Sequence, residues 1–235
     1  MGDAGSERTD TPAACPPGGP VRRTQRERRE ATIARLLDAS IATIDEIGYA
    51  RTSVNEIAAR AGLSYGALFR HFDSMSDFMA ATARETVRRH TRLVVARVRE
   101  VAGHDGRGTL ETTLQVLREL AGHPTHTVVL ELTNAARTDT ALREHMRRTM
   151  TDVAPEMIEA AQQLVGHNLD LAPGDFATLV FMIVDLFDAE AFQHPLREQH
   201  PEINQRRIPL LLKMLAALSP QPQAGSNSLM GPSST

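Results

Sequence analysis

The chain has 235 residues, of which 41% are hydrophobic and 23% charged, and a formal net charge of −3. That length suffices for one large or two small domains with a buried core, and that charge excludes a polycation coating nucleic acid along its whole length. Cys15 is the single cysteine, so no intrachain disulfide can form; with no signal-like start and no apolar run long enough to span a bilayer, a cytoplasmic protein without membrane association is expected.

The charge is unevenly spread. Residues 20–90 carry a balance of +3 and residues 91–235 one of −4, as expected for a nucleic-acid module joined to something that is not one. There is no Trp and aromatic content is 4%, which predicts an aliphatic core with Met filling irregular gaps.

Residues 1–21 and 219–235 are rich in Pro, Gly and Ser and read as a disordered leader and tail. Arg22, Arg23, Arg26, Arg28 and Arg29 then read as a basic arm, placed to follow a phosphate backbone or enter a minor groove. Ile33, Leu36, Leu37, Ile41, Ile44 and Ile47 recur at spacings of three and four, predicting an amphipathic helix that Gly48 ends.

A second helix opens at Ser53, whose S-x-x-E spacing to Glu56 is that of a capping box. Gly62 interrupts it, Leu63 follows, and Ser64 is placed to cap a third helix with Leu68 and Phe72 on its buried side. Asp73 or Ser74 can cap a fourth helix running to about Val101. Helical patterns continue over 108–122, 124–136, 139–166, 173–192 and 202–218, with Pro155 expected to kink or divide the third of these. No alternating pattern of strand length appears, so the fold class is all-α.

Thr52 to Phe72 carries the functional signal. Two short helices meet across a turn where Ala58 permits close crossing and Gly62 permits positive φ, the geometry of a helix-turn-helix. In such a unit the second helix enters the major groove. Its outward face is predicted to hold Ser64, Tyr65, Ala67, Arg70 and His71, a set of hydroxyl, guanidinium, imidazole and methyl groups suited to phosphates and base edges.

The long first helix ending in GYARTSV, followed by NEIAARAGLS and YGALFRHFDSMSDF, resembles the DNA-binding domain of TetR-family regulators over about Arg29 to Phe78. The resemblance implies a homeodomain-like N-terminal domain, drawn here as residues 22–74, with Thr52, Ser53, Asn55, Ser64, Tyr65, Ala67 and His71 facing double-stranded DNA. It also implies a C-terminal helical ligand-binding and dimerisation domain, residues 75–218. The chain departs from the family at Phe69, where Tyr is common, and at Met75 and Ser76, where Lys-Glu is common and the Lys approaches a phosphate.

The helices at 176–192 and 203–218 are apolar on most faces, so the first expectation is a homodimer paired through them as a four-helix bundle. Leu117, Val129, Met146, Met150, Met157, Phe181 and Met182 are the candidate lining of an effector pocket suited to a hydrophobic molecule, with Asn134, Asp185 and Asp188 available to orient a polar group. The expected function is a ligand-responsive regulator: a repressor released from a palindromic operator by a small molecule.

His123 and His126 form an H-x-x-H without a supporting carboxylate at helical spacing, and no nucleophile elbow, Walker loop or dinucleotide fingerprint occurs. No catalytic residue, metal or cofactor is therefore expected. The competing reading is a helical ligand-binding or interaction protein without specific DNA binding, a reading that Met75 favours.

Overall fold

A computed structural model describes residues 24–102, 109–193, 196 and 201–218. The leader, the tail, Cys15, Arg22 and Arg23 lie outside the described residues. The helices are α1 (Gln25–Ile47), α2 (Val54–Arg60), α3 (Tyr65–Phe69), α4 (Met75–Val101), α5 (Leu110–Leu120), α6 (Pro124–Ala135), α7 (Thr140–Val165), α8 (Pro173–Gln193) and α9 (Pro201–Leu218). Tight 3-10 turns occupy Tyr49–Arg51 and Gly166–Asn168, and no strand occurs among the described residues.

α1 starts earlier than its apolar periodicity. The Thr24 hydroxyl accepts from the Glu27 N–H at 3.2 Å, and the Glu27 carboxylate accepts from the Thr24 N–H at 2.8 Å. This capping box satisfies two N–H groups of the first turn and draws the preceding polar residues into the helix. Arg26, Arg28 and Arg29 therefore sit in the first two turns of α1 rather than in an arm before it. Gly48 ends the helix at φ 77°, in the region that favours glycine.

Pro155 does not divide α7, which runs unbroken from Thr140 to Val165. A proline in mid-helix removes one N–H donor and crowds one carbonyl, and packing along the rest of this long helix holds it together. Pro209 is accommodated inside α9 in the same way.

Two main cores are strung along α4. The first joins Leu36 and Ile44 of α1, Ile57 of α2, Leu68 of α3, Phe78 and Met79 of α4, Leu132 of α6 and Leu142 of α7. It crosses residue 74, so the first three helices share their apolar interior with α6 and α7. Inside it the Thr82 hydroxyl donates to the Phe78 carbonyl at 3.0 Å and lies 3.1 Å from the Ser40 hydroxyl, fixing α1 against α4. The second core gathers Val94, Val98, Val116, Leu120, Leu164 and Phe176. Truncating a buried Leu of either core to Ala would cost about 2–5 kcal/mol.

α8 and α9 are joined to α5 through a buried charge cluster. Glu190 lies 3.1 Å from Arg207 and 3.4 Å from Arg118, whose guanidinium also donates to the Asn204 carbonyl at 2.6 Å. No helix among the described residues is long and apolar enough to cross a membrane.

Candidate functional site

The helix-turn-helix is built by local hydrogen bonds. Ser53 caps α2: its hydroxyl accepts from the Glu56 N–H at 3.3 Å, and Glu56 accepts from the Ser53 N–H at 2.8 Å. At the other end the Leu63 N–H reaches the Ala58 carbonyl at 2.9 Å and the Gly62 N–H reaches the Ala59 carbonyl at 3.0 Å. That pair of bonds is a Schellman motif, and it needs the positive φ of 61° that Gly62 adopts. Arg35 of α1 completes the turn, its guanidinium donating to the carbonyls of Ala61 and Gly62.

α3 presents a narrow arc to solvent. Tyr65 is 55% and Phe69 40% exposed, their rings 5.4 Å apart at 52°. Gly66 and Arg70 complete this arc at the spacing of one helical face, and Ser64 is exposed at its start. The Ser64 hydroxyl makes no capping bond to α3. Thr52 is half-buried and donates its hydroxyl to the Gly48 carbonyl at 2.9 Å, while Ser53 and Asn55 are exposed on the first turn of α2.

Ala67 corrects the predicted outward face. It is only 3% exposed, because it lies beside Leu68 on the inner arc, two positions from the exposed Tyr65 and Phe69. Its methyl supports packing, and the apolar group offered outward is Phe69. His71 is half-buried, with a buried Nδ1 that has no partner among the described residues. Desolvation, then the nearby Arg29 and Arg70, lower its pKa and favour the neutral ring. Met75 is packed against the first core.

A cavity of about 310 Å³ opens among α4 to α8. Leu117, Val129, Met150, Met157 and Phe181 line it, as do Asp185 and Asp188. Met146 and Met182 do not. Met146 is 5% exposed and belongs to the first core, one turn of α7 before the cavity begins. Met182 is 63% exposed; it lies about 100° around α8 from Phe181 and faces solvent. Asn134 lines a separate cleft near Arg118 and Glu190.

The cavity wall also brings His90 beside His126, a pairing across two helices that no spacing in the sequence marks. His90 Nδ1 is 3.0 Å from the Thr125 hydroxyl, which is 2.8 Å from His123 Nδ1. His126 Nε2 is 2.7 Å from Asp188 Oδ1. The two histidines of the H-x-x-H thus turn to different partners, and no group of three or more potential ligands is placed to hold a metal among the described residues.

A model of the bacterial regulatory proteins of the tetR family matches residues 36–82, which cover most of α1, all of α2 and α3 and the start of α4. The HTH-type transcriptional regulator Rv2912c of Mycobacterium tuberculosis is 42% identical over 195 residues, covering 83% of this chain and 98% of that one. The HTH-type transcriptional regulator CymR of Pseudomonas putida is 30% identical over 131 residues, 56% of this chain and 64% of its own. Among solved structures, the multidrug binding protein EbrR complexed with imidazole superposes with a TM-score of 0.54 at 24% identity, over 84% of this chain and 98% of its own. A TetR-family transcriptional regulator from Streptomyces coelicolor does so with a TM-score of 0.53 at 18% identity, over 79% and 98%. Family model, full-length relatives and fold agree with the helix-turn-helix built above: the chain belongs to the TetR family of DNA-binding transcriptional regulators.

Proposed function

We propose that the chain acts in the cytoplasm as a homodimeric repressor that leaves a near-palindromic operator when a small apolar molecule fills the cavity. The observation that carries this reading is the double duty of α4 and α6. Both helices line the cavity with Val87, His90, His126 and Val129, and both pack Phe78, Met79, Val128 and Leu132 into the core beneath the helix-turn-helix. A ligand that reshapes the cavity must act on helices that also seat α1, α2 and α3.

In this reading Thr52, Ser53, Asn55, Ser64, Tyr65, Arg70 and His71 meet the duplex, joined by Phe69. Exposed apolar side chains on α8 and α9, among them Met182, Phe192, Leu210 and Met214, support pairing with a second copy. Two recognition helices would then reach successive major grooves roughly 34 Å apart. A coupling of about 1–3 kcal/mol between cavity and operator is the usual size for such a switch. EbrR, described as a multidrug binding protein, has also been crystallised with ethidium, which supports a helical cavity of this fold taking a drug-like molecule. The chain works by binding rather than by catalysis.

Genomic footprinting with the purified chain identifies the operator, and fluorescence anisotropy on that fragment then tests the reading. Binding should weaken steeply as salt rises. Tyr65→Ala together with His71→Ala should remove specific binding and leave the dimer intact. Specific binding that survives the double change would refute the assignment of α3 as the reading helix.

A further inference from the structure

The cavity wall is mostly apolar, with the hydroxyls of Thr91, Thr113 and Thr133 scattered in it, and its titratable groups lie on α4, α6 and α8. There His90, Thr125, His126, Asp185 and Asp188 come together, and no Lys or Arg is among the lining residues. The His126 and His90 rings are 5.2 Å apart, and His126 is buried against Asp188. His126 Nδ1 is buried and has no hydrogen-bond partner among the described residues. His126 thus spends one ring nitrogen on Asp188 and leaves the other without a partner among the described residues.

His90 is held neutral by burial. The carboxylates of this wall are those of Asp185, which is exposed, and Asp188. Asp185 has no ion-pair partner among the described residues, and Asp188 keeps its second oxygen beyond the bond to His126. A carboxylate or phosphate entering here would lose water, meet no cation and face two like charges. A protonated amine would meet two carboxylates with no Lys or Arg in the wall to pair them.

We propose that the cavity selects apolar molecules bearing a protonated amine, gripped by Asp188 and Asp185, and rejects carboxylates and phosphates of the same apolar size. This rests on the reading of the cavity as the effector site, and goes further by fixing the charge of the effector. It also gives Asp188 two tasks, orienting His126 and receiving the ligand's N–H.

Three probes of one chain length separate the two claims: n-octylamine, n-octanol and n-octanoate, each titrated by calorimetry into the full chain at neutral pH. Octylamine should bind at least about tenfold more tightly than octanoate, with octanol between them. In Asp185→Asn, and more so in Asp185→Asn with Asp188→Asn, the preference for amine over carboxylate should shrink to about twofold or less while octanol binding stays. Octanoate binding as well as octylamine, or a preference that outlasts both changes, overturns the charge selection alone. Failure of both octanol and octylamine to bind, or binding unaffected when Leu117→Trp fills the cavity, overturns the effector-site reading and the charge selection with it.

Discussion

The Glu131 carboxylate accepts a 3.0 Å hydrogen bond from the Tyr49 backbone N–H, so α6 holds the turn that follows α1. The same helix lines the cavity with His126 and Val129, on turns adjoining Glu131. Gly48 lies against this carboxylate as well: a Cβ there would sit 3.6 Å from Glu131 Oε2. The chain thus has a short mechanical route from cavity to helix-turn-helix that runs through α6, beside the longer one through α4. Glu131→Ala should leave the Tyr49 N–H without its acceptor. Hydrogen exchange at residues 48–52 should quicken, and the melting temperature should fall by about 2–4 °C for a bond worth about 1 kcal/mol. Unchanged exchange in that turn would mean that the bond does not hold it.

Gly62 and Gly66 are four residues apart and should respond to Ala in opposite directions. At Gly62 the backbone sits at φ 61°, and a Cβ would lie 3.1 Å from the Arg35 guanidinium that secures the turn. Gly62→Ala should destabilise the fold by about 1–2 kcal/mol. At Gly66, inside α3, a Cβ would meet nothing within 4 Å, so Gly66→Ala should stabilise by about 0.5–1 kcal/mol. Urea unfolding of both variants decides the matter; equal shifts would show that Gly62 is not conformationally required.

What was legible in the sequence was what adjacent residues decide together. Ser53 with Glu56, and Gly62 with Leu63, are local signals, and they located α2, the turn and α3. The Thr24–Glu27 box is just as local, but apolar periodicity begins only at Ile33 and leaves the first two turns of α1 unmarked. Periodicity also shows which residues share a face but not what covers that face. Met146 and Met150 are one turn apart on α7 and both pack against the first core, and only the docking of α7 on α4 and α6 decides that Met150 also meets the cavity. The contacts of Arg35 with Ala61, Glu131 with Tyr49, and His126 with Asp188 join residues 26, 82 and 62 apart in the chain. No spacing rule reaches that far, so these were invisible until the helices were assembled.

The exposed arc of α3 should divide its work between sequence reading and charge. Tyr65 and Phe69 carry no formal charge, so Tyr65→Ala should cost about 1–3 kcal/mol of operator affinity while leaving non-specific binding nearly unchanged. Arg70 is exposed and makes no ion pair among the described residues. As a phosphate contact it should act alike on every sequence, and Arg70→Ala should shallow the dependence of log K on log salt by about one unit. Anisotropy over a salt series on operator and random DNA separates the two. A changed salt slope in Tyr65→Ala, or an unchanged one in Arg70→Ala, would reverse these roles.

His90 makes the fold sensitive to acid. Burial, then its neighbours His126 and His123, lower its pKa to about 4, with Asp188 opposing them, whereas the unfolded chain would titrate near the ordinary histidine value of about 6.5. Above about pH 6.5 neither state is protonated at this ring and it adds no pH dependence. As pH falls from there toward 4 the unfolded chain takes up a proton that the fold refuses, so stability declines; below about 4 both states hold the proton and the decline from this group ends. The loss attributable to His90 over that window should be about 1–3 kcal/mol. His90→Gln keeps a hydrogen-bonding group for Thr125 and removes the titration. Urea unfolding of both proteins from pH 7.5 to 4.5 should show wild-type stability falling more steeply than that of His90→Gln, because shared carboxylate effects cancel in the difference. Parallel curves would show that the ring is not buried as a neutral group.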